Sequence, residues 1–592
     1  MLISALCEYY DVLASKGRAI KDGYSSVEVD YLICLSLGGE MQNIINIQEK
    51  VQNGKKEVLK SKSVIMPQRS QKPGIDANII EHRSLYIFGL NYENDELTPN
   101  DKTQKAKKSH DDFVSKNLEF FSDINSDLAR AFAKFIQNWE PQNEVKNEHL
   151  LNLGKKLSTA KFAFCLSGAP DRLLHDDKAV LEKWEAKFTQ DSENKDEIKS
   201  QCAILGQNLS LARIHNKISG IKGGQASGTS LVSFNNPCDE SYAKSQAFNS
   251  NISELAMKKY TQSLNFLLSS PKNHIFFDDL TIIFWASDAN EKAQDLMSAL
   301  FGDKLDSQNL ENLILNLLKN AREANLLKEQ LNVQGIDENT NFYILGIKPN
   351  ASRLSLKFIY KNAFAKVLEN IATHQQDLQT SNEFKKIPLW QLKNELKSPN
   401  SGDEALDPSL GVKIFESIVQ GANYPAFLLE KAILRAKIDK NITQIKAGII
   451  KAYLNRKSRL NNQREEIKMS LDKENLNHAY LCGRLFAVLE KVQEKASGGG
   501  LNRTIKDAYF GSAMSNPAAV FPNLLRLYGI HLKKIDKEAF VVFYEKLVGE
   551  IMDKLGSEFK KTLLLDEQGK FILGYYQQIQ DFYTKKGDKD EQ

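Results

Sequence analysis

Cysteine is scarce in this sequence and poorly placed for cross-linking: Cys7, Cys34, Cys165, Cys202, Cys238 and Cys482 lie far apart and form no C-x-x-C pair. That spacing argues against a disulfide framework or a zinc knuckle and fits a reducing cytoplasm. Long apolar runs are absent as well; none approaches the roughly 20 residues that cross a bilayer. The opening stretch Met1-Leu2-Ile3-Ser4-Ala5-Leu6-Cys7-Glu8 has no basic segment before its apolar residues, and Glu8 and Asp11 interrupt it. It predicts an amphipathic helix and not a secretory leader. Nor does one sign of charge dominate: 79 lysines and arginines face 75 acids, a net charge of +4 over 592 residues, too little to single out a partner. With 42% hydrophobic and 26% charged residues, the composition is that of a soluble globular chain too long for one core. A cytoplasmic, multidomain protein is expected, with no membrane partner.

Enzyme signatures are the next absence. The stretch Gly223-Gly224-Gln225-Ala226-Ser227-Gly228-Thr229-Ser230 has the glycines of a phosphate loop but no lysine before its hydroxyls, so it lacks the group that a Walker loop sends to the terminal phosphates. No G-x-S-x-G elbow and no H-E-x-x-H pair occur, which leaves serine hydrolases and zinc peptidases without their machinery. Pro170-Asp171 followed by Glu185-Ala186-Lys187 matches the letters of a PD-(D/E)xK nuclease. That chemistry wants the second carboxylate on a strand, whereas Val180, Leu181, Trp184 and Phe188 recur at helical spacing. His110-Asp111 and His175-Asp176 are isolated pairs without the other ligands of a phosphohydrolase. A metal-dependent DNA nuclease using Asp171 and Glu185 is therefore the alternative. A chain with no catalysis, cofactor or metal is the expectation.

What the sequence does hold is unevenly placed charge. Residues 53–72 carry six basic side chains against one acid, 431–464 carry ten against one, and 209–238 carry no acid at all. Local basic surfaces on a near-neutral chain suit contact with phosphates at defined places. Elements are mixed in the first half. Alternating apolar residues over 29–37, a Gly38-Gly39 turn and the run 41–47 predict a hairpin. Further strand-like runs lie at 85–88, 160–166, 202–205, 280–286 and 342–347, with helical patterns over 113–139 and 254–268. From Pro349-Asn350 onward helices are expected, Asn350 capping one that carries Arg353, Lys357 and Phe364. Four amphipathic stripes after Met469 predict a bundle. The fold class expected is an α+β N-terminal region over 1–348 followed by an all-α region. That region comprises a basic helical middle over 349–468 and ends in a helical bundle over 469–592.

Several longer motifs, in order along the chain, carry a resemblance. Ile214-His215-Asn216-Lys217-Ile218-Ser219-Gly220-Ile221-Lys222-Gly223-Gly224-Gln225-Ala226-Ser227-Gly228 comes first, then Leu231-Val232-Ser233-Phe234-Asn235, Glu240-Ser241-Tyr242 with Gln246, and Phe284-Trp285-Ala286. Tyr343-Ile344-Leu345-Gly346, Pro349-Asn350-Ala351, Gly483-Arg484-Leu485-Phe486, Tyr509-Phe510-Gly511-Ser512 and Gly574-Tyr575-Tyr576 follow. Together they closely resemble the large subunit of type I-C CRISPR (Cascade) surveillance complexes. Asn249-Ser250-Asn251-Ile252 stands where relatives usually show Asn-Ala-Pro-Val, and Tyr242-Ala243 where they show Tyr-Gly. The resemblance implies a non-catalytic subunit of a guide-RNA complex, beside backbone subunits and a subunit that binds the RNA 5′ handle. It implies recognition of the short motif next to the target, help in strand opening, R-loop stabilisation and recruitment of a helicase–nuclease. It also implies a small subunit made by internal translation of the C-terminal part, for which Met469 is the candidate start.

Phosphates ask for lysine, arginine and free backbone N–H groups, and base edges ask for amides or arginine placed in a groove. In 210–236, Lys217 and Lys222 supply charge, and Gly224 with its neighbouring glycines lets backbone approach a duplex. Gln225, Ser227 and Asn235 carry groups that read base edges; the competing reading is a buried glycine turn. Arg69 and Lys72, in the loop 67–74, are candidates for adjacent-motif contact or for a wedge between separating strands. Arg353 and Lys357 are expected one turn apart on a helix, facing DNA or an internal acid. Lys446 and Lys451 are expected to face the displaced strand or the guide RNA, and Arg484 to meet the displaced strand from the bundle. Tyr575 is expected in the bundle core.

Overall fold

A computed structural model describes residues 1–592 except 54–55, 70–73, 100–103, 194–197, 226, 278, 302–307, 321–323, 400–406, 464, 499–500, 502 and 585–592. The chain forms two compact units. The larger comprises Met1–Val12, Arg213–Ser250 and Ala256–Gln592, the smaller Leu13–Ala212 and Asn251–Leu255. Residues 349–468 and 469–592 thus share one unit.

The smaller unit is α+β. Its four-stranded sheet runs Ala169–Leu173, Phe162–Leu166, Tyr31–Leu35, Met41–Asn46 in that order. The last two strands form the hairpin turned by Gly38-Gly39, antiparallel from Tyr31↔Asn46 to Leu35↔Met41. Phe162–Leu166 lies parallel to Tyr31–Leu35. Helices Lys105–Phe121 and Asp127–Asn138 contribute Phe113, Phe120, Phe132 and Phe135 to a core that also holds Phe162 and Phe164. Ser126 caps the second helix by accepting the Ala129 N–H. Two strand expectations are corrected here. The run 85–88 belongs to a short helix, Ser84–Phe88, stopped by Gly89 at φ 65. Four apolar residues carry no period of their own, so sequence alone does not separate the two forms. Residues 202–205 form a turn after the strand Lys199–Gln201.

The larger unit is built on an antiparallel sheet of His274–Phe277, Leu280–Ala286, Asn341–Asn350 and Arg353–Ala363. Leu280–Ala286 is buried at every position, as an unbroken apolar run demands. Arg353–Ala363 replaces the expected helix. Asn350 pairs with Arg353 across a two-residue turn whose Ala351 has φ 51, so Asn350 ends a strand instead of capping a helix. Leu354, Leu356, Phe358 and Tyr360 recur every second residue, the strand period. Ile347 pairs with Leu356 and Gly346 with Phe358, which makes Lys357 the extra residue of a bulge. Gly346 is required there, because a Cβ would sit 2.3 Å from the Phe358 ring.

From Phe364 onward every named element is a helix. Their core is continuous with that of the sheet: Phe284, Phe342 and Phe358 share one cluster with Phe415, Ile450, Leu485, Phe510 and Phe571. Helices His478–Ala496 and Leu565–Tyr583 meet backbone to backbone. A Cβ on Gly483 would lie 1.9 Å from the Phe571 carbonyl oxygen, and one on Gly574 would lie 2.1 Å from that of Tyr480. On the outer side of the second helix, a Cβ on Gly569 would have Ile450, Leu454 and Leu429 at 3.1, 3.2 and 3.4 Å. The C-terminal bundle is therefore packed against the middle helices.

Candidate nucleic-acid interface

Residues 217–230 form a tongue. At its neck Ile218 and Thr229, both fully buried, exchange backbone hydrogen bonds of 2.7 and 2.8 Å. Helix Glu254–Ser269 holds the neck from behind: Asn265 accepts the Ser219 N–H at 3.0 Å and donates to the Lys217 carbonyl at 3.3 Å. Two turns shape the tip, closed by Gly224 N–H to Ile221 O at 3.0 Å and by Gly228 N–H to Gln225 O at 2.9 Å. Gly228 has φ 87, and a Cβ there would lie 2.8 Å from that of Lys217, so only glycine lets the two legs close. Ile221 turns in, whereas Lys222, Gln225 and Ser227 are exposed and Gly224 and Lys217 half-buried. The neck is thus core and the tip is surface. The Lys222 ammonium lies 5.8 Å from the centroid of the Phe276 ring, a cation–π contact that steadies the stem and leaves the charge outside. Behind the tongue His215 is buried, its Nδ1 sharing a 2.6 Å hydrogen bond with the Tyr260 hydroxyl. Burial lowers its pKa to about 4, so the ring is neutral at physiological pH.

The second leg of the tongue joins the sheet. The Ser230 N–H donates to Ser352 O and the Leu354 N–H to Ser230 O, both at 2.9 Å. Arg353 is thereby set beside the tongue, its Nη2 3.7 Å from Asp239. That half-exposed pair is worth about 0–1 kcal/mol, little enough for a phosphate to displace the carboxylate. Lys357 is exposed at its bulge on the same strand, a device that re-aims side chains. Asn235 is exposed and accepts the Ser233 hydroxyl at 3.1 Å.

Beyond it, 240–250 fold into a short arm. Ser241 and Lys244 pair across a turn whose central residues, Tyr242 and Ala243, have φ 53 and 56. Left-handed backbone costs a non-glycine residue roughly 1–2 kcal/mol, so the turn is held by its surroundings. Asn249 accepts the Ser241 N–H at 2.9 Å and donates to Lys244 O at 2.7 Å and Gln246 O at 2.9 Å. Glu240 accepts the Gln246 N–H, and Arg213 donates to the Gln246 side chain, both at 2.8 Å. Asn265 and Arg213, which hold tongue and arm, escape a sequence reading because no spacing links them to the loops they brace.

The other candidate cations turn inward. Arg69, in the smaller unit, donates from Nε to Pro67 O at 2.7 Å and from its terminal nitrogens to Ile80 O and Ile79 O at 2.8 Å each. Burial lowers its pKa to about 10. Arg69 is a clamp on three carbonyls, which corrects its expected place in a DNA groove; Lys72 lies outside the described residues. Lys446 is buried and donates to Asp439 at 3.1 Å and to Asn441 O at 2.9 Å; Lys451 is buried too. Helix Gln444–Leu460 is enclosed on nearly all sides, so cations at helical spacing here are interior groups paired with internal acceptors. Arg484 is 0% exposed, donating to Gln578 at 3.1 Å and to Lys473 O at 3.4 Å, with Glu550 3.6 Å away. The burial of Lys446 and Lys451 removes them from the surface expected to meet the displaced strand or the guide RNA, and that of Arg484 removes it from the displaced strand; Lys446 and Arg484 are internal anchors. Tyr575 is in the core and donates its hydroxyl proton to Glu490 at 2.6 Å.

Of the nuclease letters, Glu185 accepts from Lys21 at 2.6 Å and from the Tyr24 hydroxyl at 3.0 Å, contacts that lower its pKa. Asp171 is exposed on the strand Ala169–Leu173. Among the described residues, no three His, Cys, Asp or Glu side chains gather as a metal group, and no helix is long and apolar enough to cross a membrane. Compared with known proteins, residues 6–583 match the family model described as CRISPR-associated protein (Cas_Csd1). The matched span takes in the tongue, the arm and the C-terminal helices. The chain has no match among curated proteins.

Proposed function

Because this chain belongs to the Cas_Csd1 family of CRISPR-associated proteins, we propose that it is the non-catalytic large subunit of a type I-C RNA-guided surveillance complex, and that its tongue reads the duplex beside the target. One observation carries the second part: an acid-free loop presents Lys222, Gln225 and Ser227 to solvent above a neck that is buried and braced by both a helix and a sheet. A reader must be exposed at its tip and rigid at its base. In this reading Lys217 and Lys222 neutralise phosphates, Arg353 exchanges Asp239 for a phosphate, and Lys357 adds charge from the same strand. Gln225, Ser227 and Asn235 address base edges, and Gly224 lets the backbone come close. Its partners are the target duplex and displaced strand, the guide-RNA complex with its backbone and 5′-handle subunits, and the helicase–nuclease. A separate C-terminal product beginning at Met469 serves as the small subunit.

Binding of the assembled complex to duplexes that differ only in the adjacent motif tests this. Lys222→Ala weakens all duplexes alike and reduces the salt slope by about 1. Gln225→Ala relaxes discrimination by about 1–3 kcal/mol. A Lys217→Ala/Lys222→Ala variant that binds like the wild type removes the tongue from the interface. Mg²⁺- or Mn²⁺-dependent cleavage of labelled DNA that is lost in Asp171→Ala overturns the non-catalytic reading.

A further inference from the structure

We infer that Tyr242 is a base-stacking residue, held out by the arm 240–250 to receive an unpaired DNA base where the duplex opens. The inference rests on the DNA-binding reading above and adds a specific residue and a specific ligand, a nucleobase. Tyr242 is 96% exposed, more than any other large hydrophobic side chain among the described residues. One exposed aromatic is ordinary in itself. What sets this one apart is the structure that presents it. Its turn places two successive non-glycine residues at φ 53 and 56, a conformation that persists only where the surroundings impose it. Asn249, Glu240, Gln246 and Arg213 impose it through five hydrogen bonds at the arm's base. A loose loop would have its backbone to order on stacking, whereas the backbone of this braced turn is already ordered and only the ring's own rotation remains to be fixed.

The surroundings also choose the ligand. Glu240, Ser241, Ala243 and Lys244, which flank Tyr242 in the chain, are exposed and mostly polar, and do not build the apolar rim that a protein hot spot needs. A base needs only the face of the ring, and stacking is indifferent to which base it is. Ser230, on the second leg of the tongue, bonds to Ser352 and Leu354, and Asp239 at the arm's root faces Arg353 between them. The arm is therefore rooted beside the tongue, where a strand held by the tongue could meet it.

The test uses the purified full chain with two DNAs of equal length, a fully paired duplex and a fork with one unpaired arm. Tyr242→Gly, Tyr242→Ala and Tyr242→Phe are compared with the wild type. Glycine relieves the left-handed backbone, so Tyr242→Gly removes the ring without endangering the turn. Tyr242→Gly and Tyr242→Ala are expected to lose about tenfold in fork affinity, the ordinary worth of one base–aromatic stack, with duplex affinity changed less than about twofold. Tyr242→Phe keeps fork binding. Unchanged fork affinity in Tyr242→Gly overturns the inference, and if Lys222→Ala still weakens the duplex the DNA-binding reading stands without it. Equal loss on both DNAs, or loss of assembly with the guide-RNA complex and not of fork binding, also overturns it. A wild-type chain that binds neither DNA overturns both readings together.

Discussion

Gly228 and Ala243 adopt the same left-handed backbone, one at no strain and one against it. At Gly228 a Cβ is excluded by Lys217 as well as by φ 87. Gly228→Ala should therefore cost about 1–3 kcal/mol and weaken duplex binding, while circular dichroism shows helix content unchanged. Ala243 has φ 56 and no such need for a side chain. Net of glycine's greater chain entropy, Ala243→Gly should stabilise by up to about 1 kcal/mol, read as a higher denaturant midpoint. His215 makes a pH prediction. Its folded pKa of about 4 lies below the ordinary value of 6.5, so the unfolded chain binds the extra proton first. The stability it contributes is present above pH 6.5 and is lost as pH falls toward 4, by about 3 kcal/mol at most. Unfolding of His215→Gln should show a smaller drop between pH 7 and 5 than the wild type. At this scale the glycine-rich stretch was legible as surface loop, but the fate of a cation was not. Arg69 and Lys222 both sit in glycine- or proline-bearing basic loops, yet Arg69 meets three carbonyls that no spacing announces.

Elements were legible where one pattern stood alone. The hairpin at Gly38-Gly39 and the buried strand Leu280–Ala286 were plain because a turn signal or an unbroken apolar run admits one reading. Arg353–Ala363 was not, since Leu354 and Phe358 satisfy a helix at i, i+4 while Leu354, Leu356, Phe358 and Tyr360 satisfy a strand at i, i+2. Pairing with Asn341–Asn350 decided between them. The basic helix 444–460 misled in another way: charge suggested a surface, but the helix is largely enclosed and Lys446 is paired inside with Asp439. The crossing of His478–Ala496 with Leu565–Tyr583 explains Gly483 and Gly574 by contact alone. Gly483→Ala should destabilise by about 2 kcal/mol or more. Gly549→Ala, in a helix with nothing near its would-be Cβ, should instead gain up to about 1 kcal/mol. Chemical denaturation of the two variants side by side checks both signs.

Over the whole molecule, the α+β beginning and helical remainder were foreseeable, but the grouping of segments into units was not. Contacts such as Ser263 Oγ to Leu6 O at 2.9 Å return the N-terminal helix to a unit otherwise made of residues beyond 212, and no local pattern encodes such a return. The continuous core also bears on a product starting at Met469. Without the middle helices, the face of Leu565–Tyr583 that carries Gly569 loses Leu429, Ile450 and Leu454. Produced alone, residues 469–592 should bind a hydrophobic dye more strongly than the full chain and self-associate, as dye fluorescence and light scattering would report. A dye-silent monomer would show that this face closes on itself.

The join at Ser230 has a mechanical meaning. The tongue is riveted twice at its root, once to Asn265 on a helix and once into the end of the sheet through Ser352 and Leu354. Through the bonds of Ser230, force applied at the tongue's root would pass into the backbone of the strand Arg353–Ala363. In the proposed reading, a strand of nucleic acid pulling on Lys222 would load a loop anchored at its root to both a helix and a sheet, and not one hinged at a single point.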